Sequence, residues 1–244
     1  TSWIMPKDFK NTLKVKELKE NFNVERLDPK YYFLGQTLDH ELSKCTYKLD
    51  FLRNIVSAPI VSGTRPGGRA KYTIGEVPSL EGGNISEDGR IDLVDLKHVP
   101  HTFHQKHSRS AVKPLDILMV KDGATTGKVA IIPPDFPYKE CNINEHLFRI
   151  RIKEEYNPYF VYAFLFSSLG QMQVERESSG GAQKGIVKKS VENFLIPIPP
   201  PEIRNAIAEE MKKVFAEVES LREKTSITVR DAQTKITEML TGRT

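Results

Sequence analysis

The stretch IPIPPPEIRNAIA, Ile196 to Ala208, divides this chain into two parts with different grammar. Its prolines lack the amide hydrogen that a helix interior or a central strand requires, so neither element can run through them. From Asp50 to Pro201 the sequence is broken at short intervals by glycine and proline. The pieces between, FLRNIVSAPIVSG, YTIGEVPSLEGGNI, DILMV, GKVAII and LFRIRI, are rich in Val, Ile, Leu and Phe and read as strands or strand–loop units. PYFVYAFLFSSLGQMQVE, Pro158 to Glu175, opens on a proline and carries a broad apolar face, which predicts one core helix. The expectation is an α+β globule with long surface loops, with an all-β globule as the other option.

Beyond the prolines the punctuation stops until Gly242, which falls where a helix C-cap is expected. Ile203, Ile207, Met211, Val214, Val218 and Leu221 recur three or four apart. The stripe turns polar at Thr225 and Thr228 and resumes at Ala232, Ile236 and Met239. That spacing is a coiled-coil seam. A helix of about 40 residues spans roughly 60 Å and cannot bury such a stripe against itself. It predicts a partner helix in a second copy or another chain. The domain expectation is therefore a globular part over 1–201, with an extension at 1–22, and a coiled-coil helix over 202–244.

The chain has 244 residues, of which 39% are hydrophobic and 28% charged, enough to build a core and unlike a disordered chain. No run of about 18 apolar residues is present, the length that a membrane helix needs. The first residues, TSWIMPKDFK, carry no signal-peptide core, and the start without methionine reads as a processed or cut chain. Cys45 and Cys141 stand too far apart for a C-x-x-C motif and read as two idle thiols in a reducing cytosol, which sets a cytoplasmic expectation. From Glu202 onward eight Lys and Arg balance eight acids, so the net charge of +4 belongs to the part before it. Such a globule permits an anionic partner without requiring one.

VKDGATTGKVAII, Val120 to Ile132, looks like a phosphate loop, but only Ala124, Thr125 and Thr126 separate Gly123 from Gly127, and Val129 stands where a magnesium-binding hydroxyl is needed. It needs another explanation. HVPHTFHQKH places His98, His101, His104 and His107 three apart, yet Pro100 interrupts the run and no carboxylate or cysteine in it completes a first shell, so a solvated loop or short helix is expected and no metal. G-x-S-x-G, H-E-x-x-H, G-x-G-x-x-G and the N/D-P-P-Y/F tetrapeptide of base methylation are all absent, since PPDFPY has the wrong order. No enzyme chemistry or cofactor is expected.

Three polar, glycine-rich loops remain. SGTRPGGRAKY offers Thr64, Arg65, Arg69 and Lys71; KDGATTGK offers Lys121, Thr125, Thr126 and Lys128; SSGGAQKGIVKK offers Ser178, Ser179, Gln183, Lys184, Lys188 and Lys189. Arg and Lys pair with guanine or phosphate, Gln with adenine, and hydroxyls with phosphate oxygens. One such loop is an ordinary turn with solvated cations; three in one domain point to nucleic acid.

The order of these motifs resembles the specificity (S) subunit of type I restriction–modification systems. RLDPKYY (Arg26 to Tyr32), SGTRPGG, VPSLEGGNISEDGRID (Val77 to Asp92), DILMVKDGATTGKVAI (Asp116 to Ile131), NINEHLFRIR (Asn142 to Arg151), PYFVYAFLFSSLGQ, SGGAQKGI (Ser179 to Ile186) and IPIPPPEIRNAIA run in the family's order over about residues 23–244. The resemblance implies one target recognition domain and one spacer helix, a half-length form. It implies a non-catalytic subunit that reads half of a bipartite double-stranded DNA site and holds methyltransferase (M) subunits over it, with a restriction subunit as a further partner and a homodimer formed through the C-terminal helix. It makes GATTGK a turn that fixes two strands. A complete S subunit carries two domains and two helices, so the chain is either a half-subunit that dimerises or a piece of a larger protein, such as a fused adenine methyltransferase. A coiled-coil adaptor without DNA binding is the other alternative. The base contacts do not carry over from the family.

Overall fold

The computed structural model describes residues 29–67, 72, 75–178 and 184–242. The expected extension 1–22 and the candidate residues Arg69, Lys71, Ser179 and Gln183 lie outside them. The first element of the described residues is α1 (Pro29–Ser43), a helix the sequence reading did not anticipate; Leu34, Leu38 and Leu42, four apart, form its buried stripe. Strand β1 (Lys48–Phe51) leads into α2 (Leu52–Ile55), one turn that buries Leu52 and Ile55. FLRNIV therefore leaves the extended conformation after Phe51, contrary to the strand expected there. The i, i+3 spacing of its two apolar residues suits a helical turn.

Then follow β2 (Val61–Ser62), β3 (Val77–Leu80), β4 (Lys97–Val99), the short helix α3 (His101–Lys106), β5 (Ile117–Val120), β6 (Val129–Ile131), β7 (Asn142–Ile143) and β8 (Leu147–Ile150). A four-stranded antiparallel sheet runs in the order β2-β8-β5-β6. A three-stranded sheet, β4-β3-β7, joins β3 to β7 in parallel, with Ser79 opposite Asn142. Both faces of the larger sheet are buried. Ile117, Met119, Val129, Ile131, Phe148 and Ile150 face one core, while Leu118, Val120, Ala130 and Leu147 face a second core against Leu80 and Ile143. This explains why ILMV and VAII are apolar without a break: period-two alternation sends successive residues into two different cores.

The first core is roofed by α4 (Pro158–Phe166) and α5 (Ser168–Glu177). One continuous helix was expected here, and the structure divides it. Ser167 is extended, and its hydroxyl accepts the Gly170 amide hydrogen as the cap of the second helix. The Gln171 side chain donates to the Leu165 carbonyl at 2.8 Å and satisfies an orphan of the first. Helix α6 (Lys188–Glu192) precedes β9 (Leu195–Ile198), which pairs antiparallel with β1. Pro197 is tolerated there because both members of a two-stranded ribbon are edge strands.

Helix α7 (Pro201–Thr241) starts on its proline and ends at Gly242, whose φ of +64° is the left-handed cap expected from the sequence. Its first half lies on its own domain. Ala208 is buried, Met211 and Phe215 pack against the first core, and Val218 is half-buried. The expectation that the whole stripe needs a foreign helix is thus corrected for Met211, which packs against the first core where α7 lies on α4. Ile207, Val214, Leu221, Ala232, Ile236 and Met239 are exposed. Among the described residues, no helix is long and apolar enough to cross a membrane.

Candidate nucleic-acid interface

The GATTGK segment is a tight turn between β5 and β6. Gly123 and Gly127 have φ of +96° and +92°. The amides of Thr126, Gly127 and Lys128 donate to the carbonyls of Gly123, Val120 and Thr125 at 3.2, 2.8 and 3.1 Å. Those hydrogens are consumed within the turn and cannot wrap a phosphate, which agrees with rejecting the nucleotide reading.

Two further loops are sewn to this turn. Residues 184–186 run along it: the Gly123 amide donates to the Lys184 carbonyl at 2.9 Å and the Ile186 amide to the Lys121 carbonyl at 2.8 Å. The Thr126 hydroxyl oxygen sits 2.7 Å from the Gly123 carbonyl and 2.9 Å from that of Lys184. Thr126 therefore fastens the loops together, which occupies the hydroxyl the sequence reading offered to DNA. The Lys121 amide donates to the His146 carbonyl at 2.8 Å, and the His146 Nδ1 meets the Asp122 carboxylate. The result is a concavity of about 740 Å³ lined by Gly82, Lys121, Asp122, Thr125, His146, Lys184 and Val187, among others.

Of the sequence candidates, Lys121, Thr125 and Lys184 line this concavity. Thr64 and Arg65 stand beside its β7–β8 turn; the Thr64 amide donates to the Ile143 carbonyl at 3.3 Å, and Arg65 Nε lies 2.9 Å from Glu145. Lys128 lies elsewhere, 2.6 Å from Glu87, and Lys188 pairs along α6 with Glu192 at 3.4 Å. Lys184 pairs with Glu175, and Lys121 with Asp122 at 3.4 Å. Arg65, Lys121, Lys128, Lys184 and Lys188 thus already have carboxylate neighbours, which residue type alone did not reveal. The reading also missed Asp122 and His146, since it gathered only cations, hydroxyls and amides. NINEH does contain the histidine but no pattern that marks it.

The histidine run resolves differently. His98 sits on β4, and His101 and His104 on α3. His104 is buried against the Asn142 side chain, whose amide donates to Ser110 Oγ at 2.9 Å. Glu140 lies 3.5 Å from His101 and 3.6 Å from His104, a carboxylate outside the run itself. Among the described residues, no three ligating side chains gather as a metal site.

A fourth segment links the domain to the long helix. Asp88 accepts from Arg90 at 3.1 Å and lies 2.8 Å from Arg222 of α7, while Arg90 also meets Glu219 of α7. Lower on that helix, Arg204 donates to the Glu155 carbonyl at 2.7 Å and Asn157 donates to Asn205 at 2.9 Å.

Three comparisons bear on this arrangement. The chain is 28% identical, over 137 residues, to the specificity subunit of the type I restriction enzyme EcoBI of Escherichia coli; the match takes in 55% of this chain and 28% of that subunit. Its fold is similar to the crystal structure of the type I restriction–modification S subunit from M. genitalium, with a TM-score of 0.53 and 13% identity over 75% of this chain and 43% of that one. It is also similar to the type IIG restriction endonuclease BpuSI, with a TM-score of 0.52 and 8% identity, over 75% of this chain and 28% of that enzyme. The chain thus spans less than a third of the first of these and less than half of the second. The model of the type I restriction modification DNA specificity domain matches residues 72–229, more than half of the 244 residues, and the chain belongs to that family.

Proposed function

We propose that the loop-lined concavity reads one half of a bipartite double-stranded DNA site, and that the chain serves as the non-catalytic specificity subunit of a restriction–modification complex. The observation that carries this reading is the convergence of three loops, distant in sequence, on one concave face. Lys121, Thr125 and Lys184 supply its cations and hydroxyl, with Arg65 at its edge. Base readout belongs to such side chains, and phosphate contacts to the cations around them. Pairing with carboxylates in the free protein is compatible with this, because exposed ion pairs are weak and exchange for phosphate at little cost.

In this reading M subunits methylate with S-adenosylmethionine, a restriction subunit cleaves with ATP, and the chain itself holds no cofactor and works in the cytoplasm. The exposed stripe of α7, from Ile207 and Val214 through Leu221 to Ala232, Ile236 and Met239, pairs with the same helix of a second copy and gives a two-fold symmetric site. Residues 1–201 act as the recognition domain and 202–244 as the spacer. The likeness to BpuSI supports a second reading, in which the same fold is the recognition part of a fused enzyme.

The experiment is light scattering of the protein alone and with a random-sequence duplex pool, followed by sequencing of the bound fraction. A dimer that enriches a bipartite, near-palindromic site supports the half-subunit. A monomer that enriches a single half-site supports the fused form. No salt-sensitive binding to any duplex leaves a coiled-coil adaptor and refutes the DNA reading.

A further inference from the structure

The concavity holds a feature that phosphate binding does not explain. Asp122, a carboxylate, lies among its lining residues, at the junction of all three loops. An anion on a face that attracts a polyanion opposes binding, so cations alone would serve a purely phosphate-binding surface better. The other acids, Glu81 in the same lining and Glu145 beside it, have local duties. Glu81 binds Lys97 at 2.8 Å, accepts from Tyr72 at 3.0 Å and caps the turn at Gly82, while Glu145 holds Arg65.

Asp122 is held on both sides and still open. One oxygen meets His146 Nδ1, the other lies 3.4 Å from Lys121 Nζ, and its backbone bridges Gly185. Its side chain keeps 36% of its surface exposed. Two carboxylate oxygens offer about four acceptor positions, so each still has a lone pair for a further donor. Held by His146 and the Gly185 bridge, the carboxylate is fixed in direction, which base readout requires.

Building on the DNA reading above, we propose that Asp122 is a specificity-determining residue that accepts a hydrogen bond from the exocyclic amino group of cytosine or adenine in the major groove. Only those two bases present an amino donor there, whereas guanine and thymine present acceptors that a carboxylate repels. The lysines beside it, Lys121 and Lys184, then serve the backbone and neighbouring acceptors.

The test uses the full chain and the duplex it enriches from a random pool. In that duplex, each adenine is replaced in turn by purine and each cytosine by pyrimidin-2-one, which removes the amino group alone. One position should lose roughly tenfold in affinity. Asp122→Ala, which removes the acceptor, should be indifferent to that replacement, should tolerate guanine or thymine at the same position, and should bind non-specific duplex more tightly than the parent. Merely structural damage lowers both affinities together. Parent protein that tolerates every replacement overturns the proposal, whether or not the variant folds. So does an Asp122→Ala variant that enriches the same site with the same preference. A parent that enriches no site at all refutes the DNA reading itself, a result distinct from either.

Discussion

The Tyr162 hydroxyl donates a hydrogen bond to the Gly89 carbonyl at 3.1 Å, from the middle of α4 to the loop that carries Asp88 and Arg90. Burial raises the Tyr162 phenol above its ordinary pKa and keeps it a donor. Gly89 has φ of +79°, and a Cβ added there would lie 1.8 Å from the Tyr162 oxygen. Gly89→Ala should therefore lose about 2–4 kcal/mol of stability, and Tyr162→Phe about 1 kcal/mol, in urea denaturation. An unchanged midpoint for Gly89→Ala would mean the loop does not sit against α4.

The two halves of α7 should answer mutation differently. The Phe215 ring lies 5.4 Å from that of Tyr162 and packs on the first core, whereas Leu221 is exposed. Phe215→Ala should lose about 2 kcal/mol, and Leu221→Ala less than about 0.5, at the lowest workable protein concentration. Equal losses would contradict the docking of the first half. Val214→Asp should lower the mass seen by light scattering while the domain stays folded; a dimer that survives would place the pairing stripe elsewhere.

These contrasts show what the sequence could disclose. The strand runs DILMV, GKVAII and LFRIRI and the cap at Gly242 rest on local rules of period and dihedral angle, and they were legible, whereas the turn at Gly123 and Gly127 followed from the family resemblance and FLRNIV was misjudged as a strand. The break at Ser167 was missed because an apolar run hides a serine cap. Helix α1 was missed although Leu34, Leu38 and Leu42 mark it. The docking of Met211 and Phe215 was not legible, because a stripe does not say what will cover it. Asp122 and His146 meet only through folding, and no spacing in the chain announces them.

Acid should loosen the junction between domain and helix. Burial alone would push the Asp88 carboxyl up, but the Ser86 hydroxyl and the guanidinium groups of Arg90 and Arg222 outweigh it and hold the carboxyl below its ordinary value. A depressed folded pKa gives stability that is complete above the unfolded value of about 4 and lost as pH falls through the folded one. Asp88→Asn should remove part of the loss seen as pH falls below about 4. Parallel acid limbs in parent and variant would show that Asp88 contributes nothing there.

Salt dependence separates the lysines. If Lys184 meets a phosphate, Lys184→Gln should weaken binding to all duplexes and reduce the slope of log affinity against log salt by about 0.9. Lys128→Gln is expected to do the same if Lys128 exchanges Glu87 for DNA. Unchanged slopes in both variants would remove both residues from the interface.

Thiol reactivity gives a compact check of the fold. Burial pushes the Cys141 thiol up to about 12, while Cys45 is only half-buried. A disulfide reagent at pH 8 should titrate one thiol in native protein and two after denaturation. Two rapid equivalents without denaturant would place Cys141 outside the second core.

The pairing of β1 with β9 bears on how the chain folds as it is made. Among the described residues, Lys48 to Phe51 pairs with Leu195 to Ile198, the last strand before α7. The parallel contact of Ser79 with Asn142 likewise joins distant segments. Such closures are slow, because long loops must be ordered before the contacts that reward them can form. During synthesis the first strand waits, unpaired, until nearly the whole domain has left the ribosome. The ribbon then acts as a clasp that shuts the domain just before its long helix emerges.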